Sequence, residues 1–112
     1  MNDWLPVATR PDFSVQNVIL IWLDNDWPVA IFAVNEQFYA VDARCTHQDE
    51  WLHTGSIDPH TCEVTCPLHA ARFNLKTGVA TQGPAAAPLT VYPIREDENG
   101  TLWLQKITPW WR

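Results

Sequence analysis

The sequence is short of basic residues. It has 7 lysine and arginine residues against 13 aspartate and glutamate residues, which gives a formal net charge of −6 at pH 7. A protein that binds nucleic acid needs a basic surface to neutralise the phosphates, so this balance argues against nucleic acid as a partner. An acidic chain instead favours partners that present a basic docking face.

Long apolar stretches are also missing. The longest runs, Val18 to Leu23 and Trp27 to Val34, are far shorter than the roughly 20 residues that a helix needs to cross a bilayer. The first residues carry no basic segment followed by an apolar stretch and a cleavage site, as a secretory signal would. We therefore expect a cytoplasmic protein that does not contact a membrane.

Cysteine is scarce, with three residues in the chain: Cys45, Cys62 and Cys66. In a cytoplasmic protein so few cysteines favour metal ligation over disulfide bonds. Cys62 stands in a strand-like segment four residues before Cys66, and we expect it to be a free thiol without a special role.

Two short motifs combine the other cysteines with histidine. The first is Cys45-Thr46-His47 and the second is Cys66-Pro67-Leu68-His69, with 18 residues between His47 and Cys66. Thiolate is a soft, charged metal ligand and neutral imidazole a borderline one, so the four side chains form a possible metal-binding set. A structural zinc site is one interpretation, although such sites usually begin with two cysteines two to four residues apart.

The paired motifs resemble the binding motif of a Rieske [2Fe–2S] cluster. The resemblance implies that Cys45 and Cys66 bind one iron and that His47 and His69 bind the other. In such a centre two histidines replace two cysteines, which raises the potential above that of an all-cysteine cluster. The spacer is longer than is usual in the family, and a hairpin turn around residues 58–61 could accommodate the surplus.

The pattern of apolar runs and turns predicts an all-β fold. At 112 residues the chain is expected to be one domain, and no segment has the sustained period of 3.6 residues that a long helix needs. Short strands separated by polar turns are typical of a small barrel or sandwich. We predict strands at residues 18–23, 27–34, 38–41, 62–65, 72–75, 89–94 and 101–107.

The family resemblance adds the arrangement of these strands. It implies a Rieske fold, in which a small antiparallel β-barrel or sandwich base is formed by about residues 1–41 and 85–112. A cluster-binding subdomain of about residues 42–84 is inserted into this base. The loop from Gly83 to Pro88 is either a plain connector or the proline loop that covers the cluster from a third side.

Residues near the motifs indicate which kind of Rieske protein the chain resembles. High-potential members have two further cysteines that bridge the loops, but here Glu50 and Leu68 stand at those positions. Those members also carry hydroxyl side chains where this chain has Ala70 and Phe73. Without hydroxyl donors to the cluster sulfurs the reduced state is less stabilised, so we predict a low potential of about −150 mV.

A low-potential, soluble, single-domain Rieske protein resembles the ferredoxin of a multicomponent aromatic-ring-hydroxylating dioxygenase system. Such a ferredoxin takes one electron from an NAD(P)H-dependent flavin reductase and passes it to the terminal oxygenase. The resemblance implies transient partners, a monomer and no substrate turnover by this chain. The alternatives are the small Rieske subunit of an assimilatory nitrite reductase, a ferredoxin of another monooxygenase and a zinc-stabilised interaction module.

Some residues remain open to two interpretations. An apolar collar around the exposed histidine ligands could include Trp51, Leu52, Leu68 and Pro84, although Trp51 could equally pack under the first loop. His53 and His60 are expected to be solvated. The last residues, Trp110-Trp111-Arg112, either fold back over the barrel or form a docking patch.

Overall fold

The computed structural model describes residues 3–45, 50–67, 70–83 and 87–111. These residues form short strands and two short 3₁₀ helices, Arg10–Phe13 and Leu52–Thr54. Within the described ranges, no helix has the length and apolar character needed to cross a membrane. The strands are β1 (Trp4–Thr9), β2 (Val18–Asp24), β3 (Trp27–Val34), β4 (Gln37–Asp42), β5 (Ser56–Asp58), β6 (Glu63–Thr65), β7 (Arg72–Asn74), β8 (Ala80–Gln82), β9 (Val91–Tyr92), β10 (Ile94–Glu96) and β11 (Thr101–Gln105).

The strands form three antiparallel sheets. The first has the order β1-β11-β10, the second β2-β3-β4-β9 and the third β5-β6-β7-β8. The prediction of an all-β antiparallel fold is confirmed. The third sheet lies within the stretch 42–84 that we predict to be the cluster-binding subdomain, whose boundaries remain a prediction.

The second sheet separates two hydrophobic cores, and β3 contributes to both. Because successive side chains of a strand point to opposite faces, Ala30, Phe32 and Val34 enter one core, while Trp27, Val29 and Ile31 enter the other. The first core also contains residues of the third sheet and all three cysteines. The second core contains Leu102 and Leu104 of β11. A strand buried on both faces explains why residues 27–34 are almost continuously apolar.

A two-residue turn connects β3 to β4. Val34 pairs with Gln37, and the intervening Asn35 and Glu36 have φ angles of 52° and 68°. Positive φ at both central residues is typical of the hairpin turn whose twist matches that of the strands. The turn lies between the strands predicted at residues 27–34 and 38–41, and Gln37 belongs to β4.

The predicted strand 89–94 was wrong in its extent. The structure places β9 in the second sheet and β10 in the first, with Pro93 between them. Proline has no N–H for a strand ladder, so it suits the point at which the chain leaves one sheet for another. Its carbonyl oxygen still accepts a hydrogen bond from the Gln105 N–H at 2.9 Å.

The sequence pattern also missed strands β1, β5 and β8, and β11 ends at Gln105 rather than at residue 107. Pro6 lies within β1, which is at an edge of its sheet, and proline is tolerated at such an edge. Strands β5 and β8 have three residues each, too few to show an alternating pattern.

Candidate metal centre

The first motif lies in a loop that begins where β4 ends. The Cys45 N–H donates a hydrogen bond to the Glu50 carbonyl oxygen at 2.8 Å. The residues that flank this pair are bonded as well: Arg44 forms an isolated β-bridge with Trp51, and the Leu52 N–H donates to the Ala43 carbonyl oxygen at 2.8 Å. The backbone therefore closes the loop around residues 45–50 at its neck.

The second motif lies in a loop between β6 and β7 that is closed in the same way. The Cys66 N–H donates to the Ala71 carbonyl oxygen at 2.7 Å, and the Ala70 N–H donates to the Cys66 carbonyl oxygen at 3.1 Å. In both loops the cysteine N–H is thus bonded to the carbonyl five residues further along the chain. Ala70 turns the chain back with a φ of 60°, a left-handed conformation that is costly for a residue with a Cβ.

The two loops are held against each other at Gly55. This glycine lies between the Leu52–Thr54 helix and β5, and a Cβ atom placed on it would be 2.0 Å from the Thr65 carbonyl oxygen. Thr65 directly precedes Cys66 and pairs with Ser56. Only a residue without a side chain allows the exit of the first loop to approach the start of the second so closely.

A third segment joins this region at Gly78, which has a φ of 80°. Its carbonyl oxygen accepts a hydrogen bond from the Leu89 N–H at 2.8 Å, and a Cβ atom on it would be 2.2 Å from the Leu89 carbonyl oxygen. Pro84 and the two alanines after it lie outside the described residues, so the interpretation of residues 83–88 as a proline loop remains a prediction.

All three cysteines are free and buried in one core. Cys45 is 5% exposed and Cys66 is 1% exposed, whereas His47 and His69 lie outside the described residues. Burial in apolar surroundings disfavours an uncompensated thiolate, and bonding to a metal removes this cost. Two buried thiols at the start of matching loops therefore fit the sulfur half of a Rieske ligand set.

Cys62 occupies a different position. It has a φ of 57°, and its carbonyl oxygen accepts a hydrogen bond from the Leu75 N–H at 2.9 Å. Its thiol is hydrogen-bonded to Tyr39, and burial followed by the interaction with Cys62 raises the pKa of Tyr39. Cys62 is a free thiol, as predicted, and it is linked to β4 rather than to a loop that carries histidine.

A buried polar network supports the first loop, and the sequence analysis missed it. Asp42 is 4% exposed, and its carboxylate accepts hydrogen bonds from the Tyr92 hydroxyl and the Thr90 N–H, both at 2.8 Å. The Tyr92 hydroxyl accepts a third bond from the Trp27 indole N–H at 2.8 Å. The sequence offered one signal for this network, which is the carboxylate of Asp42 directly after the apolar run of residues 38–41. The network ties the chain three residues before Cys45 to β3 and β9.

Aromatic and charged side chains surround the first loop on its other side. Trp51 is half-buried, with the Arg44 guanidinium 4.7 Å from its ring centre and Trp22 at 5.9 Å between ring centres. It therefore packs against Arg44 and Trp22, and its two interpretations, as part of a collar or as packing under the first loop, both remain predictions. Leu52 is wholly buried, so its assignment to an exposed collar was wrong. Leu68 and Pro84 lie outside the described residues.

The two remaining histidines differ. His60 is exposed, as predicted, but His53 packs edge-on against Trp51, and its buried Nδ1 atom has no hydrogen-bond partner among the described residues. The expectation that His53 is solvated was therefore wrong.

The turn at residues 58–61 has its own ion pairs. The Arg72 guanidinium lies 2.8 Å from the Glu63 carboxylate and 3.4 Å from that of Asp58. Hydrogen bonds from the backbone of His60, then from Thr61, together with Arg72, hold the pKa of Asp58 below its usual range. This turn connects β5 to β6, which confirms the predicted hairpin that accommodates the long spacer.

Known proteins share this combination of fold and motifs. Residues 3–93 match the family model of the Rieske [2Fe-2S] domain. The chain is 37% identical over 99 residues to the 3-phenylpropionate/cinnamic acid dioxygenase ferredoxin subunit of Escherichia coli (strain K12), and the alignment covers 88% of this chain and 87% of that protein.

Solved structures give the same result. One chain in the complex of reduced oxygenase and oxidized ferredoxin in carbazole 1,9a-dioxygenase superposes with a TM-score of 0.83 at 28% identity, covering 96% of this chain and all of that chain. The ferredoxin of carbazole 1,9a-dioxygenase from Nocardioides aromaticivorans IC177 has a TM-score of 0.83 at 24% identity, covering 93% of this chain and 98% of that one. The latter similarity shows the fold alone.

Proposed function

Because this chain belongs to the Rieske [2Fe-2S] domain family, we propose that Cys45 and Cys66 bind one iron of its cluster and that His47 and His69 bind the other. The observation that carries this proposal is the pair of buried cysteines, each of which begins a loop closed by the same backbone hydrogen bond. The donor set of two thiolates and two imidazoles is the set that a Rieske centre needs.

The bound cluster supplies a one-electron redox couple. The protein positions the two cysteines through backbone hydrogen bonds, from the Cys45 N–H to Glu50 and from the Cys66 N–H to Ala71. Burial of both thiols excludes water from the cysteine side. Predefined ligand positions lower the ordering cost of cluster binding.

We propose that the protein carries single electrons from an NAD(P)H-dependent flavin reductase to the terminal oxygenase of an aromatic-ring-hydroxylating dioxygenase. The curated relative of 37% identity is a dioxygenase ferredoxin subunit, which supports a carrier rather than a catalytic subunit. The negative net charge supports transient docking to basic faces on both partners. The free thiols of all three cysteines support a cytoplasmic location, and we expect a monomer.

Serine substitutions test the ligand assignment. Cys45→Ser and Cys66→Ser should each abolish the red-brown colour and reduce the iron and acid-labile sulfide content of the purified protein to near zero. Cys62→Ser is the matched control, because Cys62 is a buried thiol of the same core and should leave the cluster intact. A colourless wild-type protein containing zinc would support the alternative of a zinc-stabilised module and contradict the proposal.

Reconstitution tests the role. With NADH or NADPH, a flavin reductase and an aromatic-ring dioxygenase, addition of this protein should couple cofactor oxidation to ring hydroxylation. Coupling to nitrite reduction instead would favour the nitrite reductase subunit. A redox titration should give a midpoint near the low end of the Rieske range, at about −150 mV, and a clearly positive midpoint would contradict the expectation from Ala70 and Phe73.

A further inference from the structure

The last described residues fold back onto the domain. The indole N–H of Trp110 donates a hydrogen bond to the Pro88 carbonyl oxygen at 2.9 Å. The Trp111 ring packs edge-on against Trp27, with 6.2 Å between ring centres and an interplanar angle of 82°. The tail therefore contacts both Pro88, at the end of the loop of residues 83–88, and Trp27, at the start of β3.

The contact with Trp27 connects the tail to the polar network below the first loop. Trp27 is 4% exposed, and its own indole N–H is bonded to the Tyr92 hydroxyl, which in turn donates to Asp42. The other carboxylate oxygen of Asp42 accepts the Thr90 N–H at 2.8 Å. Trp110 holds Pro88 and Asp42 holds Thr90, so both ends of this short segment are fixed.

A cavity of about 240 Å³ lies between the tail and the first loop. One wall is the chain from Asp42 to Cys45, and the opposite wall is formed by Trp110 and Trp111. Asp26 and Pro28 complete the lining among the described residues. Trp110 is 60% exposed and Trp111 39% exposed, so the tail lies at the surface and covers part of a cavity that reaches Cys45, which we propose as the first cluster ligand.

We propose that Trp110 and Trp111 form a strap that fixes residues 88–90 and limits the access of bulk water to the cavity beside Cys45. The inference rests on the proposed ligation by Cys45. Water and hydrogen bonds near a cluster stabilise its reduced state, which carries the additional negative charge, and they give chelators and protons access to the ligands. The strap therefore lowers the midpoint potential and slows cluster loss.

Two substitutions release the strap without changing any proposed ligand. Trp110→Phe removes the indole donor to Pro88 but keeps an aromatic ring, and Trp111→Ala removes one wall of the cavity together with the contact to Trp27. The matched control is Trp103→Phe, because the Trp103 indole N–H makes a bond of the same length, 2.9 Å, to Asp97 in the first sheet. Trp111→Phe serves as the conservative rescue.

Three measurements on the purified holoprotein test the strap: the midpoint potential, the rate of bleaching in a chelator, and the amide exchange of Leu89 and Thr90. For the double variant W110F/W111A we expect a more positive potential, bleaching faster by a factor on the order of five, and faster exchange. W111F combined with intact Trp110 should behave like the wild type, and so should W103F.

The results separate the strap from the electron-carrier function. Potential, bleaching and exchange that all match the wild type would overturn the strap, even if the double variant transferred electrons poorly to an oxygenase, since that result would make the tail a docking patch. Amide exchange does not need a cluster. If the wild type held no iron, faster exchange in the double variant would support the mechanical role of the strap while the proposed function failed.

Discussion

Replacing Gly55 with alanine would force apart the two loops that carry the cysteines. The added Cβ would be 2.0 Å from the Thr65 carbonyl oxygen, 3.1 Å from its carbonyl carbon and 3.2 Å from the Leu52 carbonyl oxygen. Ordinary van der Waals contact begins at about 3.4 Å. All three neighbours are backbone atoms, so a side-chain rotation cannot relieve the overlap.

The cost can be estimated from what must move. Overpacking that is relieved by side-chain adjustment costs about 1–3 kcal/mol, and a backbone shift belongs at the upper end of that range or above it. We expect Gly55→Ala to lower the free energy of unfolding by about 3 kcal/mol, which for a domain of this size lowers the melting temperature by roughly 10 °C or more. Because Thr65 precedes Cys66, the same shift should also displace a proposed ligand.

The assay compares Gly55→Ala with Gly83→Ala. At Gly83 none of the described residues has an atom within 4 Å of an added Cβ, and its φ is not in the left-handed region. Thermal unfolding and iron per chain should therefore be close to wild type for the control, within about 0.5 kcal/mol, and both should fall for Gly55→Ala. If the two variants were equally stable and equally loaded with iron, the close approach at Gly55 would not define the site.

Three further predictions concern stability. Tyr92→Phe should lower the free energy of unfolding in urea by about 2 kcal/mol, because it removes the hydroxyl that accepts a hydrogen bond from the buried Trp27 indole and donates one to the buried Asp42 carboxylate; an unchanged midpoint would contradict the network. Ala70→Gly should raise the melting temperature, by relieving about 0.5–1 kcal/mol of left-handed strain, and a lower value would argue against that conformation. Hydrogen bonds from the Trp103 indole, then from the Thr101 N–H, hold the pKa of Asp97 below its usual range. The ionised Asp97 carboxylate therefore stabilises the folded state at a pH above its pKa in the unfolded chain, and this stabilisation is lost as the pH falls through its pKa in the folded protein. The stability difference between the wild type and Asp97→Asn should therefore narrow below about pH 4, and a difference that is constant down to pH 2 would refute this.

The family and the fold class could be predicted from the sequence because they depend on residue type and spacing, whereas the assignment of the four ligands remains a prediction. Cys45 and Cys66 stand beside histidines in two short motifs, and the apolar run Trp27–Val34 reports a strand that is buried on both faces. Neither prediction depends on contacts between residues that are far apart in the sequence. The family match over residues 3–93 confirms the Rieske prediction that these motifs supported.

The support of the site was not accessible, because it consists of contacts between residues far apart in the chain. Asp42 meets Tyr92 across 50 positions, and nothing in the sequence pairs them. Likewise, the close approach of Gly55 to Thr65 is a property of the folded backbone that no sequence pattern shows. The error at Leu52 has the same origin, since an apolar residue beside a motif can face either the solvent or the core.

Because β3 contributes to both hydrophobic cores, it affects how the protein unfolds. Its alternate side chains complete two cores, so neither the cysteine-bearing half nor the half containing the chain termini retains a full interior when the other opens. Native-state hydrogen exchange should accordingly give the amides of Val29, Ala30 and Ile31 the same free energy of opening, close to the free energy of complete unfolding. A fragment that contains the two cysteine loops but lacks this strand should remain an unfolded peptide.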